Sequence, residues 1–298
     1  MLKSLNELIE IAKGKETRKL AVAAAADVPV LKAVMSATND GIVEPILVGN
    51  KENIEKIAAE IGFNISSIRI IEENDPNKSA VKAVELIKNG EADILMKGLV
   101  ATAPLLKAVL NKEKGLRKGS TLSHFTLFES PYYHKLFGVT DAAMNVAPEF
   151  GDKISIVNNA VDAMRGLGIN TPKVAILAPV EVVNPKIEST VHASMLTVMN
   201  TRQQIKNCII EGPFALDNAV SKEACEHKGI ESEVGGDADI LVAPELNAAN
   251  ILYKSLNFLG GASAAAVIMG AQVPIVLTSR ADTDRAKMLS IALAAAMI

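Results

Sequence analysis

Short apolar runs and longer amphipathic stretches alternate along most of the chain. Residues 20–25 and 45–48 are apolar runs of strand length, and each is followed by a helix-starting signal, Asp27 with Pro29 and then Asn50. The apolar runs show little alternation of apolar and polar positions. This is expected for a largely parallel sheet with both faces covered by helices.

The same pattern predicts further strands and helices. Strands are predicted at residues 68–71, 94–96, 122–128, 136–140, 174–177, 208–210, 240–242, 265–269 and 274–278. Helices are predicted at residues 1–13, from Asp75-Pro76, around 154–167, around 187–199, at 216–225, around 248–259 and from Arg285 onward. The fold class is therefore α/β.

The strand–helix rhythm breaks between Asn111 and Ser130, which indicates a domain boundary. We predict a first α/β domain of residues 1–136 plus 272–298 and a second of residues 137–271. Each is expected to have three α/β/α layers, with a cleft between the two. The closing helix would return to the first domain.

Composition and charge narrow the function classes. The 298 residues are 49% hydrophobic but only 3% aromatic, which predicts an aliphatic core. A net charge of −3 argues against general affinity for nucleic acid or anionic membrane. Two cysteines and four scattered histidines predict neither a disulfide framework nor a metal site. An amphipathic first helix instead of a signal peptide, and a C-terminal apolar run too short to span a bilayer, predict a cytoplasmic protein.

Polar clusters directly after predicted strands are the candidates for chemistry, because P-loop, dinucleotide-binding and nucleophile-elbow motifs are absent. Lys97-Gly98 follows one strand, and Thr102 begins the next helix, with Lys107 about one turn further. Glycine lets the backbone approach an anion, and Lys97 with Thr102 would complete a cradle. The alternative is an ordinary strand–helix turn with solvated lysines.

The closing segment carries the densest polar patch, with Ser279, Arg280, Asp282 and Asp284 between a strand and a helix. A hydroxyl, a guanidinium and carboxylates at a helix N-terminus can bind phosphate and move a proton. Alternatively, Asp282 caps the helix and Arg280 pairs with it.

Weaker clusters follow two other strands. Thr140 and Asp141 lead to Asn145, and Pro244 leads to Asn247, which could simply cap its helix. Several such strand ends converging on one crevice are more informative than any one of them.

These clusters carry a resemblance to a known family. Residues 97–103, 141–145, 211–217, 244–254 and 274–280 resemble, in order, the motifs of the phosphate acetyl/butyryltransferase family and cover nearly the whole chain. Residues 121–124, 157–159 and 278–282 are similar to its butyryltransferase branch.

The resemblance implies the fold of the isocitrate/isopropylmalate-dehydrogenase-like superfamily, with coenzyme A and phosphate in the cleft. It also implies a homodimer or larger homo-oligomer joined through the second domain. Coenzyme A would be a substrate, and neither a cofactor nor a metal is expected. The substrates would be acyl-CoA with phosphate, or acyl phosphate with CoA.

Site residues carry over by position. Ser279 and Arg280 match the family's phosphate-contacting pair, and Thr102 with Ala103 lies in its phosphate turn. Lys107 stands where the acetyltransferase branch has arginine, so a bidentate phosphate contact is not expected there.

The acetyltransferase branch places its aspartate at the position of Ala286, so the proton acceptor has to lie elsewhere. We assign that role to Asp282, with Asp284 and His124 as alternatives. Substrate contact is also expected for Lys97, Gly98, Lys107, His124, Asn145 and Asn247.

The resulting hypothesis is the reaction butyryl-CoA + phosphate ⇌ butyryl phosphate + CoA. Alternatives are a phosphate acetyltransferase, an acyl-carrier-protein-dependent phosphate acyltransferase and a non-catalytic CoA sensor. The sequence does not fix acyl-chain length, physiological direction or oligomer size.

Overall fold

The computed structural model describes residues 2–119, 121–278 and 282–298. The chain folds into two compact units. The split unit comprises Asn6–Ser120, Ala265–Ala296 and Ile298, and the middle unit comprises Met1–Leu5, Thr121–Ala264 and Met297.

The split unit is built on six strands from two distant parts of the chain. They are β1 (Arg18–Ala23), β2 (Val43–Gly49), β3 (Arg69–Glu72), β4 (Ile94–Lys97), β10 (Ser263–Met269) and β11 (Ile275–Val276). Their spatial order is β3-β2-β1-β4-β11-β10. All neighbours are parallel except β10 and β11, which pair antiparallel.

The split unit has six described helices, four of which begin at a polar side-chain cap. They are α1 (Leu5–Lys13), α2 (Val28–Asn39), α3 (Lys51–Ile61), α4 (Pro76–Lys88), α5 (Thr102–Val109) and α11 (Asp284–Met297). The predicted caps Asp27, Asn50 and Asp75 each accept a backbone N–H from the first turn of α2, α3 and α4.

Helix α11 is buried along most of its length. Every residue from Lys287 to Ala296 is buried, so its apolar positions extend around the helix instead of along one stripe. The Ser290 hydroxyl accepts the backbone N–H of Ala266 in β10 at 2.9 Å. This bond ties α11 to β10 of its own unit.

The middle unit repeats the α/β construction within one continuous stretch. Its strands are β5 (Ser123–Glu129), β6 (Phe137–Thr140), β7 (Lys173–Leu177), β8 (Ile209–Phe214) and β9 (Ile240–Val242), in the order β5-β6-β9-β7-β8. Its helices are α6 (Phe150–Gly166), α7 (Glu188–Thr201), α8 (Leu216–Val220), α9 (Lys222–His227) and α10 (Leu246–Phe258). Strands β5 and β6 pair antiparallel, and the other neighbours are parallel.

The predicted two-domain α/β fold class is confirmed. The chain passes from one compact unit to the other at residues 120/121 and 264/265, whereas the predicted boundaries lie at 136/137 and 271/272. The antiparallel pairing of β5 with β6 accounts for the first difference, because it holds β5 in the middle unit. The predicted domain boundaries themselves stay a prediction.

Several predicted elements differ from those observed. The strand predicted at 274–278 is only Ile275–Val276, and the first helix begins at Leu5. The helix predicted at 216–225 is two helices, since Ser221 has an extended backbone and its hydroxyl caps α9 through the N–H of Ala224. The core is also less purely aliphatic than composition predicts, because Phe128 and Phe137 stack in the middle unit.

Over the part of the chain that the structure describes, no helix combines the length and apolar character needed to cross a membrane.

Candidate active site

The predicted site residues fall in both units. Described residues of the split unit include Lys97, Gly98, Thr102, Ala103, Lys107 and Asp282. His124, Asn145 and Asn247 belong to the middle unit. Ser279 and Arg280 lie outside the described residues.

Backbone hydrogen bonds join the carboxyl-terminal ends of β1 and β4 in the split unit. Gly98 N–H donates to the Ala23 carbonyl at 2.8 Å, and Leu99 N–H donates to the Ala24 carbonyl at 2.7 Å. A Cβ on Gly98 would lie 2.6 Å from the Ala23 carbonyl oxygen and closer still to that of Ala24. Only glycine therefore fits without a shift of one strand end.

Lys97 is held in position by the turn that it begins. Its Nζ donates to the carbonyl oxygens of Gly98 at 3.2 Å and Val100 at 3.1 Å. After this turn, α5 begins at Thr102, and the cap residue Ala101 supplies no side-chain hydrogen bond. Thr102 and Ala103 are exposed in the first turn, where N–H groups and the positive end of the dipole favour an anion. Lys107 is exposed in the last turn.

A cavity of about 350 Å³ opens at this edge of the split unit. Its lining combines polar residues with apolar ones: Asp27, Pro29, Val30, Lys97, Gly98, Leu99, Val100, Thr278 and Lys287. Lys287 is only 4% exposed, and its Nζ donates to the Asp282 carbonyl. Sequence reasoning missed Lys287. Its signal was present, since it is the one charged residue in the run from 287 to 296.

The start of α11 corrects the alternative role considered for Asp282. The helix cap is Thr283, whose hydroxyl accepts the Ala286 N–H at 3.1 Å. Asp284 is the first residue of α11, one residue before the predicted start at Arg285. Asp282 is thus half-buried directly before the cap, with its carbonyl bound by Lys287. Its assignment as the base stays a prediction.

Asp141 organises the turn that contains Asn145. Its Oδ1 accepts the backbone N–H groups of His124, Ala143 and Met144, and its Oδ2 accepts the N–H of Asn145 at 3.0 Å. The Asn145 side-chain amide donates to Asp141 Oδ2 at 2.5 Å and to the Leu122 carbonyl at 2.8 Å. Both amide hydrogens are engaged, so Asn145 would present its Oδ1 to a ligand.

His124 is buried on β5. Its Nδ1 lies 3.2 Å from the Thr126 hydroxyl, and its ring meets Tyr253 edge-on at 5.9 Å. Asn247 is exposed near the start of α10 but is not the cap. That role belongs to Glu245, whose carboxylate accepts the N–H groups of Asn247 and Ala248. Substrate contact by His124 and Asn247 remains a prediction.

The middle unit has a second cavity, of about 590 Å³, that sequence reasoning did not identify. Lys153 and His192 line it, and Lys153 Nζ lies 2.9 Å from His192 Nδ1. Burial lowers the pKa of the Lys153 amine, and burial together with the nearby Lys153 lowers the pKa of His192. The geometry fits an ammonium group donating to a neutral imidazole.

Comparison with known proteins identifies the family of the chain. A family model described as phosphate acetyl/butaryl transferase matches residues 4–80 and 76–295. The chain belongs to the phosphate acetyl/butyryltransferase family. The resemblance recognised from the sequence motifs is confirmed.

Relatives from both branches of the family match over nearly their whole length. A phosphate butyryltransferase of Clostridium acetobutylicum is 48% identical over 295 residues, which is 99% of this chain and 98% of that protein. A phosphate acetyltransferase of Thermotoga maritima is 44% identical over 291 residues, 98% of each chain. A crystal structure of a branched-chain phosphotransacylase from Enterococcus faecalis aligns with a TM-score of 0.85 and 34% identity, covering 94% of this chain and 99% of that one.

Across residues 2–119, 121–278 and 282–298, no group of three or more His, Cys, Asp or Glu side chains is arranged to hold a metal ion.

Proposed function

We propose that the protein transfers a short acyl group, butyryl by preference, between coenzyme A and inorganic phosphate. The observation that carries the proposal is the lysine-lined cavity at the carboxyl-terminal ends of β1, β4 and β11. The start of α5, which has no side-chain cap, lies after the same turn. Such an edge is where open α/β sheets bind ligands, and this one suits an anion. The 48% identity to a phosphate butyryltransferase favours butyryl as the acyl group.

The reaction is acyl transfer between a sulfur and an oxygen. A phosphate oxygen attacks the thioester carbon, the C–S bond breaks, and CoA leaves as a thiolate that takes up a proton. In the reverse direction the CoA thiol, with an unperturbed pKa of about 8.5, must lose that proton as sulfur attacks the acyl phosphate. A positioned base contributes roughly 10²–10⁴-fold to such a step.

The chain's own residues can supply each requirement. In the proposal, Lys97 and the first turn of α5 at Thr102 and Ala103 attract phosphate, and Arg280 offsets its charge. Ser279 donates a hydrogen bond to phosphate or to the oxyanion, and Asp282 takes the thiol proton. Holding both reactants in one geometry lowers the barrier further.

Location and assembly belong to the same proposal. Cys208 and Cys225 are buried free thiols, which fits a reducing cytoplasmic setting. Exposed apolar side chains on two helices of the middle unit, among them Met195 and Val198 on α7 and Ile251 and Phe258 on α10, favour a homodimer or larger homo-oligomer.

A second candidate is phosphate acetyl transfer, which the 44% identity to an acetyltransferase supports. The two differ in acyl length and share every other feature of the chemistry. One substrate series separates them.

The test follows CoA release from acetyl- through hexanoyl-CoA, with and without phosphate. We expect release only with phosphate or arsenate, and the highest kcat/KM with butyryl-CoA. An optimum at acetyl-CoA would assign the second candidate. CoA release without phosphate would identify a thioesterase and contradict both, and no release from any thioester would contradict both as well.

A further inference from the structure

The cavity of the middle unit contains a buried lysine that the proposed transfer does not use. Lys153 in α6 is 6% exposed and lines this space of about 590 Å³. Within the described part of the chain, its amine forms no ion pair and is hydrogen-bonded to His192 Nδ1 at 2.9 Å. Burying an ammonium group without a carboxylate partner is costly. The position therefore favours the neutral amine over the charged one.

A second buried lysine of the same unit shows the contrast. Lys135 Nζ lies 3.0 Å from a carboxylate oxygen of Asp237 and 2.6 Å from one of Asp239. Carboxylate partners stabilise a charged ammonium, which is not a nucleophile. Lys153 lies beside an imidazole instead, and burial lowers the pKa of its amine. A larger share of Lys153 is thus a neutral nucleophile at neutral pH than is usual for lysine.

His192 is placed to accept the proton that a reacting amine loses. Its Nδ1 is the acceptor in the bond from Lys153, and burial together with that lysine lowers the pKa of His192, which keeps the imidazole neutral. An amine nitrogen becomes acidic once it has added to a carbonyl carbon. A nucleophile with a base within hydrogen-bond reach is the arrangement that acyl transfer to a side chain requires.

The lining of the cavity indicates which acyl donor fits. Glu149, Glu188 and Glu245 outnumber the one lysine of the described lining, which is therefore net negative. Glu188 and Glu245 also raise the pKa of Lys153 against the larger effect of burial. The apolar residues of the lining suit a short acyl chain: Ala147, Pro148, Phe150 and Pro244.

This charge favours a thioester over an acyl phosphate. An acyl phosphate brings its own negative charge to the reacting carbon, where the three carboxylates would repel it. In an acyl-CoA the reacting thioester is neutral, and the pantetheine arm separates it from the phosphates. The cavity volume lies within the range of small-molecule sites, about 300–1,000 Å³.

We infer that Lys153 is a self-acylation site, at which its amine takes the acyl group of a short-chain acyl-CoA with His192 as the base. Lys153 Nζ attacks the thioester carbon, a C–N bond forms, and the C–S bond breaks. His192 Nδ1 takes the amine proton and passes it to the leaving CoA thiolate, so the products are an amide and free CoA. An amide is a far poorer acyl donor than a thioester, so each chain is modified once. The inference takes from the proposed function only that the protein meets acyl-CoA.

The experiment incubates the full chain with butyryl-CoA in phosphate-free buffer and locates butyryl groups by peptide mass spectrometry. Lys135, which is buried and ion-paired, and Lys206, which is exposed in the same unit, are controls within the same sample. At about pH 7.5 we expect Lys153 to be butyrylated at least about tenfold faster than either control. This advantage should shrink toward about pH 10.4, the ordinary pKa of a lysine side chain.

Two variants assign the roles. Lys153→Arg keeps a positive side chain but has no amine to acylate, so the fast modification should disappear. His192→Asn keeps an acceptor for Lys153 but cannot take the proton, and should slow the modification by at least about tenfold. An unchanged rate in His192→Asn would overturn the inference, as would butyrylation by butyryl phosphate but not by butyryl-CoA.

The comparison of Lys153 with Lys206 needs neither a variant nor turnover, and equal rates at the two lysines would overturn the inference by themselves. The CoA released by self-acylation is limited to one per chain, which distinguishes it from the continuing release by a thioesterase. Phosphate-dependent CoA release without an acyl group on Lys153 would refute the inference and leave the proposed function in place. Acylation of Lys153 without phosphate-dependent release would do the reverse.

Discussion

Asp282 and Thr283 are adjacent, yet the structure gives them different tasks. Thr283 caps α11 through the Ala286 N–H, and Asp282 precedes the cap. The role of Asp282 in proton transfer can therefore be tested without removing a helix cap.

We expect Asp282→Asn to keep Tm nearly unchanged while activity falls at least about a hundredfold, because asparagine keeps the shape but cannot take the thiol proton at neutral pH. Thermal unfolding and kcat/KM for CoA with butyryl phosphate measure the two effects. Thr283→Ala is the matched control and should lose about 1 kcal/mol of stability. Full activity in Asp282→Asn would move the base to Asp284 or His124.

For individual residues, helix caps could be predicted from the sequence more reliably than buried charges. Asp27, Asn50 and Asp75 were predictable because a cap depends on a side chain and the next three residues. Lys287 stands out in the sequence as the one charge in an apolar run, but its burial was not predictable, since that depends on what packs around α11. Asn247 was wrongly considered as the cap because Glu245, two residues earlier, has a carboxylate that reaches the first turn.

Among the elements, the junction of β1 with β4 tolerates the least change. Gly98→Ala would press a Cβ against the carbonyl oxygens of Ala23 and Ala24. We expect a loss of roughly 1–3 kcal/mol in the free energy of unfolding, which is typical of overpacking. A weaker phosphate response should accompany it, because Lys97 and α5 follow from the same turn. Urea unfolding measures the loss in the free energy of unfolding, and the phosphate KM measures the weaker phosphate response.

Gly151→Ala is the control for that substitution. Gly151 lies in α6, and no atom lies within 4 Å of a Cβ built there. Alanine should be neutral or stabilising by roughly 0.5–1 kcal/mol. If Gly98→Ala behaves like Gly151→Ala, the junction is not tightly packed.

Element types followed from the sequence more reliably than element lengths. The period of apolar positions reports whether a segment is a strand or a helix, and it identified β9 with its observed bounds. Length depends on pairing partners elsewhere in the chain. The closing strand is two residues long because Ile275 and Val276 are the residues that pair with β4.

For the whole molecule, His192 predicts a dependence of stability on pH. Its pKa is lowered in the folded protein by burial and by Lys153, whereas Glu188 acts in the opposite direction. The unfolded chain therefore binds a proton at higher pH than the folded protein does. The free energy of unfolding should fall as pH decreases through the unfolded histidine pKa of about 6.5.

We expect His192→Asn, which keeps an acceptor for Lys153 but does not titrate, to reduce this acid loss between about pH 7.5 and pH 5. Chemical unfolding at a series of pH values measures it. His227→Asn, at an exposed histidine in α9, should leave the profile unchanged. Equal acid sensitivity in wild type and His192→Asn would show that the Lys153–His192 contact does not set it.

The family and the α/β class were available from the sequence because motif order and apolar period are both local. The cavities were not, since each draws on residues far apart in the chain. Lys153 with His192, and Lys97 with Lys287, meet only through tertiary packing. The passage between the compact units at 120/121 depends on the antiparallel pairing of β5 with β6, which no local signal records.

The position of β11 has a consequence for protein synthesis. It pairs with β4 in the split unit, although the chain between Lys97 and Ile275 has to be translated first. The strands of the middle unit all lie between Ser123 and Val242, so they emerge from the ribosome earlier. Until β11 arrives, that side of β4 lacks its native partner, and unpaired strand edges promote aberrant association. A pause in translating the last segment would therefore prolong an aggregation-prone stage of the nascent chain.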